Sequence, residues 1–206
     1  MKKKVILLPR NTPAVLHEKA SVMSFENCFR LGKIYKEIIG LRNVIHFSLN
    51  IVDPQGRMSI LSYNPQIAYN IFKDGSYRYN GSISPDFYNH KDLYTWDEAY
   101  DPAHYQILKN NMERRNGIDI GVVLIKRVEQ MTFLYSFATN ENGFDFLSDI
   151  QSNLSFFYGL GDHCLNLIKP IFEQYIALPL SPYVRKKDVS KNCSAKIIPF
   201  LKNEKN

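Results

Sequence analysis

The tripeptide Asp162-His163-Cys164 sets an acid, a base and a nucleophile side by side, the residue types of covalent acyl transfer. Its spacing defeats that chemistry. The surrounding segment carries apolar residues on a helical period, and consecutive helical residues point in different directions, so the three groups cannot converge on one reacting atom. The carboxylates Asp97, Glu98 and Asp101 follow Trp96, where a helix is expected to begin, and capping of that helix accounts for them without acid–base chemistry. The five histidines, His17, His46, His90, His104 and His163, are scattered. His46 falls on the polar side of a strand pattern and His104 in the first turn of a helix, so surface or hydrogen-bonded core roles are expected of them. No phosphate-binding glycine loop, HExxH, GxSxG or Cys/His metal spacing occurs. The chain is therefore expected to be no enzyme, with no metal and no cofactor implied.

The elements that would position a site follow from periodicity. Residues 24–40 place Phe25, Cys28, Phe29, Leu31, Ile34, Tyr35, Ile38 and Ile39 on a three-four spacing, predicting one helix capped by Ser24 and stopped by Gly40. In residues 44–52, Ile45, Phe47, Leu49 and Ile51 alternate with His46, Ser48, Asn50 and Val52, a strand; the turn 53–56 returns it as a second strand over 58–61. Asn64-Pro65 opens a short helix to about Asp74, closed by Gly75. Residues 76–96 lack a period and read as a long loop, of a length often used to cover a site. Asp101-Pro102 starts a helix to Arg115, closed by Asn116-Gly117. Residues 118–127 and 131–139 form a second hairpin. Residues 144–177 give a long helix, interrupted near Gly159–Gly161 or at Pro170. The sum is an α/β (α+β) fold, an antiparallel sheet sandwiched between helices in α-β-α layers, a layout shared with PAS and GAF domains.

Composition sets the outer bounds. The chain has 206 residues, 45% hydrophobic and 22% charged, which favours one globular domain over disorder. Thirteen Tyr, thirteen Phe and one Trp supply enough aromatic surface for a thick core or for the walls of an apolar pocket. Cys28, Cys164 and Cys193 are odd in number and lack CxxC spacing, which fits a reducing compartment. The apolar run 5–8 is too short for a signal-peptide core, and no run approaches the roughly 18 to 20 apolar residues of a membrane span. A soluble, cytoplasmic protein without membrane contact is expected. The net charge of +6 is concentrated in residues 185–206. The chain divides into an N-terminal arm (1–24), a central folded unit (25–182) and a basic tail (183–206).

The segment ERRNGIDIGVVLIKRVEQMTFLYSFATNE, residues 113–141, resembles the autoinducer-binding domain of LuxR-type quorum-sensing regulators: a helix end, a glycine, a second glycine, an apolar strand, a turn and an L-S-F-like strand. The resemblance extends over about residues 25–175. Gly117 and Gly121 match the two glycines, and Ser136 matches a small hydroxyl residue that faces the ligand in relatives. The family also carries a Trp, a Tyr four residues on, an Asp nine further and a Trp fifteen after that. With LYTW at 93–96 as anchor, these fall on Ala68, Phe72, Gly81 and Trp96, so only the last is retained, and Asn80 is a candidate substitute for the lost carboxylate. A buried lactone carbonyl or amide N–H left unpaired costs about 1 to 3 kcal/mol each. Two such losses weaken binding by about a hundredfold or more.

The resemblance thus implies a related pocket that takes a different ligand or is filled by side chains. Its expected wall is the layer from Tyr63 and Asn64 through Ala68, Phe72, Asn80 and Gly81 to Trp96, set against Gly121 and Ser136 of the sheet. A sensor needs there a cavity of about a few hundred Å³ lined by Phe72, Trp96 and Ser136 together. The implied ligand is a small apolar or acylated signal, and the implied role is signal sensing in transcription regulation. The alternative is a module that pairs with a second copy or with a full-length LuxR-type regulator. A helix-turn-helix is lacking after Ala177, so no direct DNA binding is expected.

Overall fold

The computed structural model describes residues 15–175. The alternating segment becomes β2 (His46–Val52), paired antiparallel with β3 (Arg57–Ser62). Asp53 holds their turn: Oδ1 accepts the Gln55 and Arg57 N–H groups at 2.9 and 2.8 Å, and Oδ2 accepts Arg57 Nε–H at 2.7 Å. The second hairpin is β5 (Ile120–Val128) with β6 (Met131–Thr139), and β6 joins β2 antiparallel. The outer strands are β1 (Val15–Leu16) and β4 (Leu93–Thr95), giving the order β1-β3-β2-β6-β5-β4. The β1–β3 edge pair runs parallel, where an all-antiparallel sheet was expected.

Both faces of this sheet are covered, making the fold α+β with helices on either side. On one face Phe47, Leu49, Phe133, Tyr135, Phe137 and Leu124 pack with α1 (Ala20–Glu26), α2 (Cys28–Tyr35), α6 (Gly143–Ser152) and α7 (Leu154–Tyr175). On the other, Val52, Met58, Val123, Ile125, Leu134 and Ala138 pack under α3 (Pro65–Lys73), α4 (Pro85–Tyr88) and α5 (Tyr105–Met112).

Four predicted elements take different bounds. The helix over 24–40 is two helices broken at Asn27, whose Nδ2 donates to Met23 O at 3.0 Å and Tyr175 Oη at 3.1 Å, the local competition by which Asn interrupts helices. Ser24 lies inside α1 and donates to Ile60 O rather than capping; Gly40, at φ +92°, ends a turn beyond α2. The long C-terminal helix breaks at Asn153, not at Gly159–Gly161 or Pro170, and α7 runs through those positions. The loop over 76–96 holds single helical turns, α4 and the edge strand β4, and the helix after Asp101 begins only at Tyr105. Residues 15–24 of the expected arm contribute β1 and the start of α1; residues 1–14, the basic tail and Cys193 lie outside the described residues. Among the described residues no helix is long and apolar enough to cross a membrane.

Candidate functional site

The polar half of the β2 alternation determines the site. Register places Ser48 beside Ser62 of β3 and Ser136 of β6, and Asn50 beside Ile60 and Leu134, so His46, Ser48 and Asn50 form a polar row on the face under α3 and α5. The amphipathic α3 explains the cover: Asn64 Oδ1 accepts Gln66 N–H at 3.0 Å, Pro65 starts the first turn, and Ile67 and Ile71 point down onto the sheet. Asn111 of α5 ties the far end of α3 by donating to Asp74 Oδ2 at 2.7 Å. Beneath lies a chamber of about 50 Å³, walled by the polar row, Ser136, Asn80 and Ser82, and by Ile67, Ile71, Met112 and Trp96.

Trp96 closes one end. Its Nε1–H donates to Ser136 Oγ at 2.7 Å, and its indole lies flat on Gly121, where a Cβ would stand 2.0 Å from Cδ2. Only glycine permits that approach. Gly117 answers a different need: at φ +63° it turns the chain from α5 into β5.

His46 is only 4% exposed, contrary to the surface or hydrogen-bonded role expected of it, and its Nδ1 has no partner among the described residues. Asn50 Oδ1, also buried, is in the same position. Burial pushes the imidazole down to about 3, so it is neutral at physiological pH. Among the described residues no Lys, Arg, Asp or Glu lines the chamber. An unpaired buried polar group costs about 1 to 3 kcal/mol, so the pair favours an uncharged occupant that can bond both atoms.

A stability test follows. The unfolded imidazole takes a proton near pH 6.5 and the folded one only near 3, so stability present above pH 6.5 is lost as pH falls between those values. The loss is about 1.4 kcal/mol per pH unit, or about 2 kcal/mol by pH 5. Urea unfolding at pH 7 and 5 should show this drop in the native protein and its removal in His46→Gln; equal drops in both would refute a neutral, buried His46.

The predicted site residues divide between two spaces. Ala68, Asn80, Trp96 and Ser136 line the chamber, and Gly121 forms the floor under Trp96. Phe72 does not reach it. It lines, with Ala68, an outer groove of about 310 Å³ between α1, α3 and β3, so the single cavity of a few hundred Å³ expected around Phe72, Trp96 and Ser136 is split in two. Tyr63 touches the site through His46, ring edge to ring at 6.5 Å, while Asn64 is spent on its cap. Gly81 is buried against the Ala99 carbonyl, which an added Cβ would approach to 2.9 Å. Asn80 does not replace the lost carboxylate: its Oδ1 accepts Ser82 N–H at 3.0 Å, so the amide turns its N–H2 end, 3.9 Å from Met112 Sδ, as a donor.

No family model and no curated protein matches the chain. Solved structures similar to the chain include two of SdiA. One is described as SdiA in complex with octanoyl-rac-glycerol: 14% identity, 90% of this chain and 76% of that chain covered, TM-score 0.45. The other is Escherichia coli SdiA in space group P6522: 14% identity, 88% and 77% covered, TM-score 0.45.

The residues that look reactive in sequence are spent elsewhere. Asp162 accepts from Lys126 Nζ at 2.8 Å and from Tyr135 Oη at 2.6 Å, and His163 Nε2 lies 2.7 Å from Glu37 Oε2. Cys164 is fully buried, and burial pushes its thiol well above its ordinary range. The three side chains meet three different environments. What the sequence reading missed is the His46/Asn50 pair. Its signal was present: a polar row on β2 with serines on the flanking strands, beneath a helix whose apolar stripe needs a partner.

Proposed function

We propose that the unit over residues 25–182 is a non-catalytic small-molecule sensor of the LuxR autoinducer-binding kind, acting in the cytoplasm, with the Trp96–Ser136 chamber recognising an uncharged polar group. The observation that carries this reading is the pair His46 Nδ1 and Asn50 Oδ1, without a partner among the described residues, inside a chamber that no charged side chain of those residues lines. The strings around Gly117, Gly121 and Ser136 support it. An acylated signal with an amide, ester or hydroxyl head meets the chemistry on offer; a carboxylate would have to shed its hydration without a cation in return.

The test is melting temperature with N-octanoyl homoserine lactone, octanoyl-rac-glycerol or octanoate. A ligand at a hundred times its Kd adds about 2.7 kcal/mol, which for a chain of this size raises the melting temperature by about 5 to 10 °C. The reading expects that rise from at least one uncharged compound and none from octanoate. It falls if no uncharged compound shifts the transition.

Pairing with a second copy or a LuxR-type regulator draws on Phe29 and Phe144, which are 87% and 77% exposed. Single exposed rings are ordinary on monomers, so the chamber leads. A concentration-independent monomeric mass in size-exclusion chromatography, with no capture of such a regulator, would remove the pairing alternative.

A further inference from the structure

Two surfaces away from the chamber are left unmatched, and they are opposite in shape and charge. The first is the groove of about 310 Å³ between α1, α3 and β3, made apolar by Leu16, Ile60 and Phe72 and flanked by the partly exposed rings of Phe25 and Tyr69. Its free polar groups are donors. The Ser24 and Ser62 hydroxyls already donate to Ile60 O and Asn64 O, but those of Ser21 and Tyr69 and the Lys73 ammonium, 5.7 Å from the Tyr69 ring centroid, have no hydrogen bond or ion pair among the described residues. No Asp or Glu of those residues lines the groove. The second surface is the start of α6, where Phe144 is 77% exposed between the exposed carboxylates of Glu141 and Asp145. The cation beside them, Arg42, is bonded to Asp149 at 2.5 Å, and neither carboxylate has an ion pair among the described residues. The ring is held in place: Asn142 Oδ1 accepts Phe144 N–H at 3.0 Å, and Asp119 Oδ2 accepts Gly143 N–H at 2.9 Å. Helix-start electrostatics account for Asp145 but not for a phenyl ring fixed in water.

We infer that the groove between α1 and α3 receives the start of α6 from a second copy of this chain, with Phe144 seated between Phe25 and Tyr69 and the Glu141 and Asp145 carboxylates facing Lys73. Each side supplies what the other lacks. The ring leaves water for an apolar trough, the ammonium gains a counter-charge, and the Ser21 and Tyr69 hydroxyls gain acceptors. A small apolar anion would answer Lys73 but leave Phe144 exposed. The net charge of +6 sets copies against one another, and a contact that brings acid to base is the orientation that relieves this repulsion. Knob and groove lie on different elements, so the contact is heterologous: each copy gives its α6 to one neighbour and its groove to another, producing a ring or an open chain of copies. An interface of one ring and its flanking charges is small, which places it in the weak, concentration-dependent class. The chamber takes no part in it, so this contact and the proposed function stand or fall separately.

Sedimentation equilibrium of the full chain from about 10 μM to about 1 mM, the range in which small interfaces associate, tests the assignment. The average mass of the native protein should rise with concentration and pass that of a dimer. Phe144→Ser, which removes the knob, and Lys73→Glu, which reverses the charge of the groove, should each weaken association by about tenfold or more. Both positions are exposed, and Tyr69→Glu must reproduce the Lys73→Glu result, which keeps the test open should one groove variant disturb folding. The deciding sample is an equal mixture of Phe144→Ser and Lys73→Glu. The Phe144→Ser chain keeps its groove and the Lys73→Glu chain keeps its knob, so one contact survives and the mixture should form a heterodimer and nothing larger. A native protein that stays monomeric to the highest concentration overturns the assignment, as does a knob or groove variant that associates like the native chain. A mixture that remains monomeric, or that grows past the dimer, overturns it equally.

Discussion

Asp162→Ala is expected to lower the stability of the protein by about 3 kcal/mol, although the residue touches no part of the proposed site. The carboxylate takes both 2.8 Å bonds from Lys126 of β5 and a 2.6 Å bond from Tyr135 of β6, fastening α7 to the centre of the sheet. Tyr135 is fully buried, its ring pressed on Gly161, where a Cβ would stand 2.2 Å from Cδ2. Without the carboxylate the hydroxyl has no acceptor and cannot reach water, which accounts for most of the loss. Lys126 adds less, because its partly exposed side chain can turn outward. Asp162→Asn keeps an acceptor for Tyr135 and should lose about half as much. A urea midpoint for Asp162→Ala corresponding to a loss below about 1 kcal/mol would show that the cluster is not a pin.

Gly121→Ala should cost about 4 kcal/mol, because a single methyl cannot fit where the Trp96 indole lies. The added Cβ would overlap Cδ2, Cε2 and Cγ at 2.0, 2.2 and 2.5 Å, all backbone-fixed on the glycine side. Trp96 must move, and with it goes the 2.7 Å bond to Ser136, leaving a buried indole N–H unpaired. The protein holds one tryptophan, so intrinsic fluorescence reports this residue alone. A red-shifted emission with a lowered melting temperature is the expected pair of results. Native emission and native stability in Gly121→Ala would mean that the indole does not rest on this strand.

The legible parts of the fold are those decided locally. The β2–β3 hairpin shows as strict alternation around a turn that Asp53 closes with its own side chain, and α3 shows in Asn64-Pro65 at one end and Gly75 at the other. The misplaced breaks depend on distant partners. Asn27 interrupts the first helix partly because Tyr175, far along the chain, accepts its amide, and Gly161 looks like a helix breaker until Tyr135 is seen to need the space.

The site divides in the same way. Trp96, Gly121 and Ser136 could be matched by resemblance, and the indole, the bare backbone and the hydroxyl do meet. The row His46-Ser48-Asn50 was legible as polar, but a strand's polar face reads as solvent-facing unless its cover is known. That cover comes from α3, α5 and the turns of residues 76–96, and the last of these have no periodicity to reveal them. Likewise the split between chamber and groove depends on how closely α3 approaches β3 at Ala68, which no spacing encodes.

The most direct test of an uncharged ligand held at His46 is the nitrogen NMR spectrum of its imidazole, recorded with the ring labelled, in the absence and presence of saturating octanamide. The account predicts a neutral ring between pH 5 and 8, and a shift of the His46 Nδ1 resonance on addition of the amide that the other histidines do not share. A His46 that titrates near 6.5, or whose resonances ignore the amide at saturation, would contradict it.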